Sequence, residues 1–98
     1  MAYAIEFAAS VKDHIAALTP RERSTVLDAI ERRLVEQPLK ETRNRKPLRP
    51  NPVAPWELRV GKLRVFYEVA SDPAMVRILA VGKKEQNVLR IGRQEIKI

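Results

Sequence analysis

Residues 56–69 read Trp56-Glu57-Leu58-Arg59-Val60-Gly61-Lys62-Leu63-Arg64-Val65-Phe66-Tyr67-Glu68-Val69, two runs of alternating side chains hinged on Gly61-Lys62. Period-two alternation marks a strand with one buried face. A two-residue link that begins with glycine supplies the positive φ a tight hairpin turn needs. The stretch therefore predicts an antiparallel hairpin with Trp56, Leu58, Val60, Leu63, Val65 and Tyr67 on its inner face. The same register sets Arg59 directly across from Arg64 on the outer face, where opposed Cβ atoms lie about 5 Å apart. Two guanidinium groups so placed repel unless something negative lies between them. Glu57 and Glu68 share that face, and each could pair one arginine. The other reading is a phosphate cradle, because the planar fork of arginine grips two phosphate oxygens at once and stays charged at any working pH.

Toward the C-terminus, Ala70 to Ala74 with Asp72 and Pro73 reads as a turn. Val76, Ile78, Leu79 and Val81 then predict a further strand ending at Gly82. The tail, Val88 to Ile98, is compatible with a small hairpin, a docked strand or a frayed end. Toward the N-terminus, residues 38–55 hold prolines at 38, 47, 50, 52 and 55 and little periodicity, which predicts an irregular connection. Before it, Thr19-Pro20-Arg21-Glu22 combines a cap, a proline at the first helical position and a reciprocal glutamate. The helix it starts carries Val26, Leu27, Ile30 and Leu34 on one stripe, and Pro38 ends it. Ser10, with Asp13 three residues on, predicts the N-cap of a shorter helix through Val11, Ile15 and Leu18. Tyr3, Ile5 and Phe7 alternate as a first strand. The expected fold is α+β, a single domain over residues 1–98: a helical hairpin packed on one face of a mostly antiparallel four-stranded sheet, order β-α-α-β-β-β plus a tail. Helices and sheet share one core, so the opposite sheet face is expected to be open for function.

Composition narrows the chemistry. Ninety-eight residues allow one hydrophobic core, and 45% apolar with 32% charged residues is the balance of a compact domain. No cysteine means no disulfide, thiolate zinc site or thiol nucleophile, and the lone His14 leaves no histidine cluster for a metal. Neither metal nor cofactor is expected. No apolar run approaches a spanning helix and no leader pattern opens the chain, so the protein is expected to be cytoplasmic and off the membrane. Nineteen basic residues against twelve acidic ones leave +7, a field that attracts polyanions. The excess is concentrated. Residues 38–64 carry eight basic and two acidic side chains, a net of +6, and residues 83–98 carry five basic and two acidic, a net of +3.

The run from Trp56 to Val69, followed by Val81, Gly82, Lys83 and Lys84, resembles the strand signature of the RelE/ParE toxins, and the resemblance covers nearly the whole chain. It implies the toxic half of a bacterial type II toxin-antitoxin pair, cytosolic and held inactive by a cognate antitoxin. RelE-like members cut messenger RNA on the ribosome, whereas ParE-like members attack gyrase. In the RelE-like nucleases two basic residues alternate along the second strand and an arginine follows on the third. Another basic residue comes after the glycine that ends the fourth, and a tyrosine stands in the tail. Arg59, Arg64 and Lys84 match three of those positions. Glu57 stands where the first basic residue would be, and Arg90 about where the tyrosine would be.

RNA cleavage by its own 2′-hydroxyl needs a group to take that proton, charge stabilisation at the phosphate and a donor to the leaving oxygen. The expectation is thus a ribosome-dependent messenger RNA endoribonuclease in which Arg59, Arg64 and Lys84 carry the catalytic charge. Arg43, Arg45, Lys46, Lys62, Lys83 and Arg90 are the further candidates for nucleic-acid contact. For proton transfer the sequence offers Glu57, Glu85, Tyr67 or a lysine of lowered pKa, and His14 reads as a surface or helix-packing residue. Trp56 and Tyr67 share the parity of Leu58 and read as core. The rival functions are a ParE-type gyrase inhibitor and an RNA-binding module that cuts nothing. An acidic antitoxin segment over the basic face is the expected protein partner, with messenger RNA and the ribosome as the expected targets.

Overall fold

The structure, a computed structural model, describes residues 2–97. Its elements are β1 (Ala4–Phe7), α1 (Val11–Ala16), α2 (Pro20–Leu34), β2 (Arg45–Pro47), β3 (Trp56–Val60), β4 (Leu63–Ser71), β5 (Ala74–Glu85), β6 (Val88–Ile91) and β7 (Gln94–Ile96). Strands β2 to β7 lie side by side in chain order, each pair antiparallel. β1 lies parallel to β5, with Ala4 beside Met75 and Phe7 beside Ile78.

The expected four-stranded β-α-α-β-β-β sheet is therefore corrected to one of seven strands, with β1 away from the ladder's chain order. Two of the three extra strands lie in the tail, which folds as a hairpin. Gln86 and Asn87 both take the left-handed conformation, at φ 51° and 65°, and make the tight turn before β6, while Gly92 at φ 64° makes the turn before β7. The third, β2, is three residues of the proline-rich connection held by backbone pairing to β3, too short to show any alternation. β5 also runs past Gly82 to Glu85. Gly82 is a point of close approach and not a terminus, because a Cβ there would lie 2.5 Å from the Arg90 carbonyl oxygen on β6.

The helices follow their sequence signals unequally. Thr19 and Glu22 form the reciprocal capping box: the Glu22 amide donates to Thr19 Oγ1 at 3.1 Å and the Thr19 amide to Glu22 Oε1 at 2.9 Å. Ser10 is already helical in φ and ψ and its side chain caps nothing, and α1 stops after six residues. No helix among the described residues is long and apolar enough to cross a membrane.

Two cores result. Leu58, Leu63, Val65 and Tyr67 pack against Val26, Ile30 and Leu34 of α2 and Val11 of α1, with Trp56 and Val60 at the margin, as the alternation predicts. The opposite face is not left open. Phe66, fully buried, gathers Ala54, Ala80, Leu89 and Ile91, with Leu48, Val53, Leu79 and Ile96 packed around them. The apolar Phe66 needed a cover that the strap of residues 48–55 and the β6–β7 hairpin supply, burial that contributes about 1.5–3 kcal/mol for such a side chain.

Candidate functional site

Gly61 takes φ 59°, the turn closes, and Arg59 faces Arg64 across β3 and β4. Glu57, one register step back, is buried at 6% exposure and lies between the two guanidinium groups. Its Oε1 accepts from Arg59 Nε at 2.8 Å and stands 3.7 Å from Arg64 Nε. Arg64 also folds back on the turn, its terminal nitrogen donating to the carbonyls of Gly61 at 2.7 Å and Leu63 at 2.9 Å. Burial holds the Arg64 guanidinium below its ordinary pKa, the Glu57 charge pulls it back up, and Arg59 pushes it further down. One carboxylate thus serves both arginines, leaving the trio at +1. Glu68 takes no part: it is exposed and lies opposite Arg77.

Glu57 borders a groove of about 370 Å³ that is lined as well by Arg59 and Lys84 of the sheet and by residues 46–51 of β2 and the strap that follows it. Its strap is a built loop. Asn51 Oδ1 accepts from the amides of Val53 at 2.8 Å and Ala54 at 3.0 Å, its Nδ2 donates to the carbonyls of Arg49 at 2.7 Å and Ala54 at 2.9 Å, and the Leu48 amide donates to Pro55 at 2.8 Å. Asn51 saturates its amide in doing so. Arg49, one of the eight basic residues of 38–64 but not among the candidates for contact, and Asn51 are further residues of the site. The Asn51-Pro52 pair was the available signal for a turn that carries them.

The cations singled out in the sequence scatter. Arg59, Lys84 and Lys46 line the groove, whereas Arg64 is not part of its lining and meets it through Glu57, 3.7 Å away. Arg45 points to the helix face, where it donates to the carbonyls of Arg33, at 3.1 Å, and Gln37, closing the C-terminal end of α2. Lys83 also faces the helices, 2.7 Å from Glu22 Oε2, a bond that raises its pKa and lowers that of Glu22. Lys62 and Lys83 both reach Glu85, at 3.5 and 3.6 Å. Arg43 is exposed in the turn before β2. Arg90 borders a small polar cavity on the helix side with Glu22, Lys83 and His14.

The candidates for proton transfer are likewise dispersed. Tyr67 is buried in the helix-side core, where burial pushes its hydroxyl well up and it donates to the Pro38 carbonyl at 2.6 Å. Glu85 is engaged with two lysines. Glu57 borders the groove but both arginines hold it, and of the lysines Lys46 and Lys84 border it as well. His14 is more than a packing residue. In the sheet edge between β1 and β6, the Val81 amide donates to His14 Nδ1 at 3.3 Å, so the imidazole stands in for a missing strand. Burial lowers the pKa of His14 against the opposing pull of Asp13.

The comparisons with known proteins agree with this architecture. Residues 2–95 match the model of a family described as ParE toxin of type II toxin-antitoxin system, parDE. In three dimensions the chain is similar to a chain of the RelBE2 toxin-antitoxin complex from Mycobacterium tuberculosis. It matches at 26% identity and a TM-score of 0.74, over 86% of this chain and 100% of that one. No curated protein matches the sequence.

Proposed function

The chain belongs to the ParE toxin family of type II toxin-antitoxin systems, and from that premise we propose that it disables its target by binding it, as a ParE-type toxin directed at gyrase, without cutting RNA. The observation that carries this reading is Glu57 between Arg59 and Arg64. A phosphate cradle needs two arginines with charge to spare, and here one carboxylate already engages both. The one carboxylate that borders the groove among the described residues is held by both arginines, and so is not free to take the proton of a 2′-hydroxyl, a transfer nuclease chemistry requires. What the groove does offer is Lys46, Arg49 and Lys84 around an apolar proline wall, a surface suited to an acidic protein segment. A cognate antitoxin is the inhibitory partner in this reading, supported by the similarity to a chain of a toxin-antitoxin complex.

The test pairs two assays on the purified protein in the cytoplasmic conditions of the family. Supercoiling by gyrase is expected to stop at saturating protein, and transcripts in cell-free translation are expected to stay whole. Supercoiling that continues removes gyrase as the target. The second reading, the ribosome-dependent endoribonuclease, draws on the four cations that line the groove and on the RelBE2 similarity. Cut transcripts, with cutting lost in Arg59→Ala and Arg64→Ala, would establish it in place of the first.

A further inference from the structure

We propose that Glu57 is a resident anion, occupying the place between Arg59 and Arg64 that a phosphate of single-stranded RNA would otherwise take, and that it alone keeps this groove from being an RNA site. The inference deepens the reading above and rests on it, since it assumes that the wild-type groove leaves RNA unbound.

The geometry supports it from three sides. First, the hairpin register forces two guanidinium groups together, an arrangement that is unstable without an anion. Second, the carboxylate that satisfies them comes from the chain itself and lies where an incoming anion would have to be, at 2.8 and 3.7 Å from the two Nε atoms. Third, the surroundings are already those of a polyanion site. Lys46 stands across from Glu57 on β2, and Arg49 and Lys84 line the same groove. Among the described residues none of these three has a carboxylate within 4.0 Å. Replacing Glu57 by glutamine keeps the shape and one acceptor oxygen but raises the trio from +1 to +2. A phosphate can then bridge the arginines, and its neighbours along the strand meet the lysines.

The experiment is binding of a labelled single-stranded RNA to the wild-type protein and to Glu57→Gln, across a salt series. Glu57→Gln is expected to bind about tenfold more tightly, with a log-log salt slope steeper by about 0.7 for the one additional phosphate neutralised. Adding Arg59→Gln to Glu57→Gln should cancel the gain. Glu68→Gln changes the net charge equally at an exposed outer-face position. An equal gain there would mean unspecific attraction and overturn the proposal, as would no gain in Glu57→Gln. Should Glu57→Gln unfold in chloride, inorganic phosphate at matched ionic strength is expected to refold it, and failure to do so overturns the proposal. RNA cutting by the wild-type protein is a separate outcome: it sinks the binding-only function whatever the glutamine variant does.

Discussion

On the helix face of the sheet, polar side chains are tied down: Lys83 to Glu22, Arg45 to the end of α2, and the His14 ring, as an acceptor, to the Val81 amide. On the outer face, cover comes from a proline-rich strap and a small hairpin, and between them Lys46, Arg49 and Lys84 line an open groove. The same residue types therefore do different work on the two faces. Toward the helices they fasten elements whose apolar stripes supply most of the stability, and toward the strap they are left for something outside the chain. What each cation meets on the sheet, more than charge count, separates the structural cations from the available ones.

The largest effect that sharpens this contrast concerns the outer core. If Phe66 anchors a second core, Phe66→Ala costs about 3–5 kcal/mol in denaturant unfolding, as in any well-packed interior. A cost below about 1 kcal/mol would break the comparison by showing the outer cover to be incidental. Next comes the strap. Asn51→Ala removes four hydrogen bonds, replaceable in part by water, and is expected to cost about 1–2 kcal/mol. Limited proteolysis of the native variant should now cut within residues 48–55, and an unchanged digestion pattern would mean that apolar contacts alone hold the strap down.

The smallest effect lies on the helix face and depends on pH. Burial keeps the folded-state pKa of His14 below the ordinary 6.5, so the unfolded chain binds more protons than the folded one in that interval. Stability is therefore expected to fall as pH drops below roughly 6.5 and to level off beneath the folded value. Asp13 pulls the other way, and Glu22, Lys83 and Arg90 line the adjoining cavity. Thermal unfolding between pH 7 and 5 reads this slope, and His14→Gln is expected to flatten it. A wild-type slope that persists in the variant would place the proton elsewhere.

The central hairpin was legible because its alternation is long and its turn carries Gly61. The capping box was legible because Thr19, Pro20 and Glu22 specify a helix start without help from the rest of the chain. The remainder depended on tertiary pairing. Residues 45–47 become a strand only because the edge of β3 is there to receive them. The tail hairpin turns at Gln86-Asn87, where asparagine tolerates the left-handed region but only folding enforces it for glutamine. Of the site, the Arg59–Arg64 juxtaposition could be read directly from the register. The partner of the pair was open between Glu57, Glu68 and an external phosphate, since side-chain reach decides among them. Phe66, a large apolar side chain with the parity of Arg64 and Glu68, is the sign in the sequence that this face is covered.

The parallel pairing of Ala4 with Met75 joins positions 71 apart in the chain. Contacts so distant are the slowest to form, because a long loop must close before they return any energy. During synthesis the first strand and both helices leave the ribosome well before β5 exists to receive them. A chain interrupted ahead of Met75 therefore lacks the strand on which β1, β4 and β6 all pair.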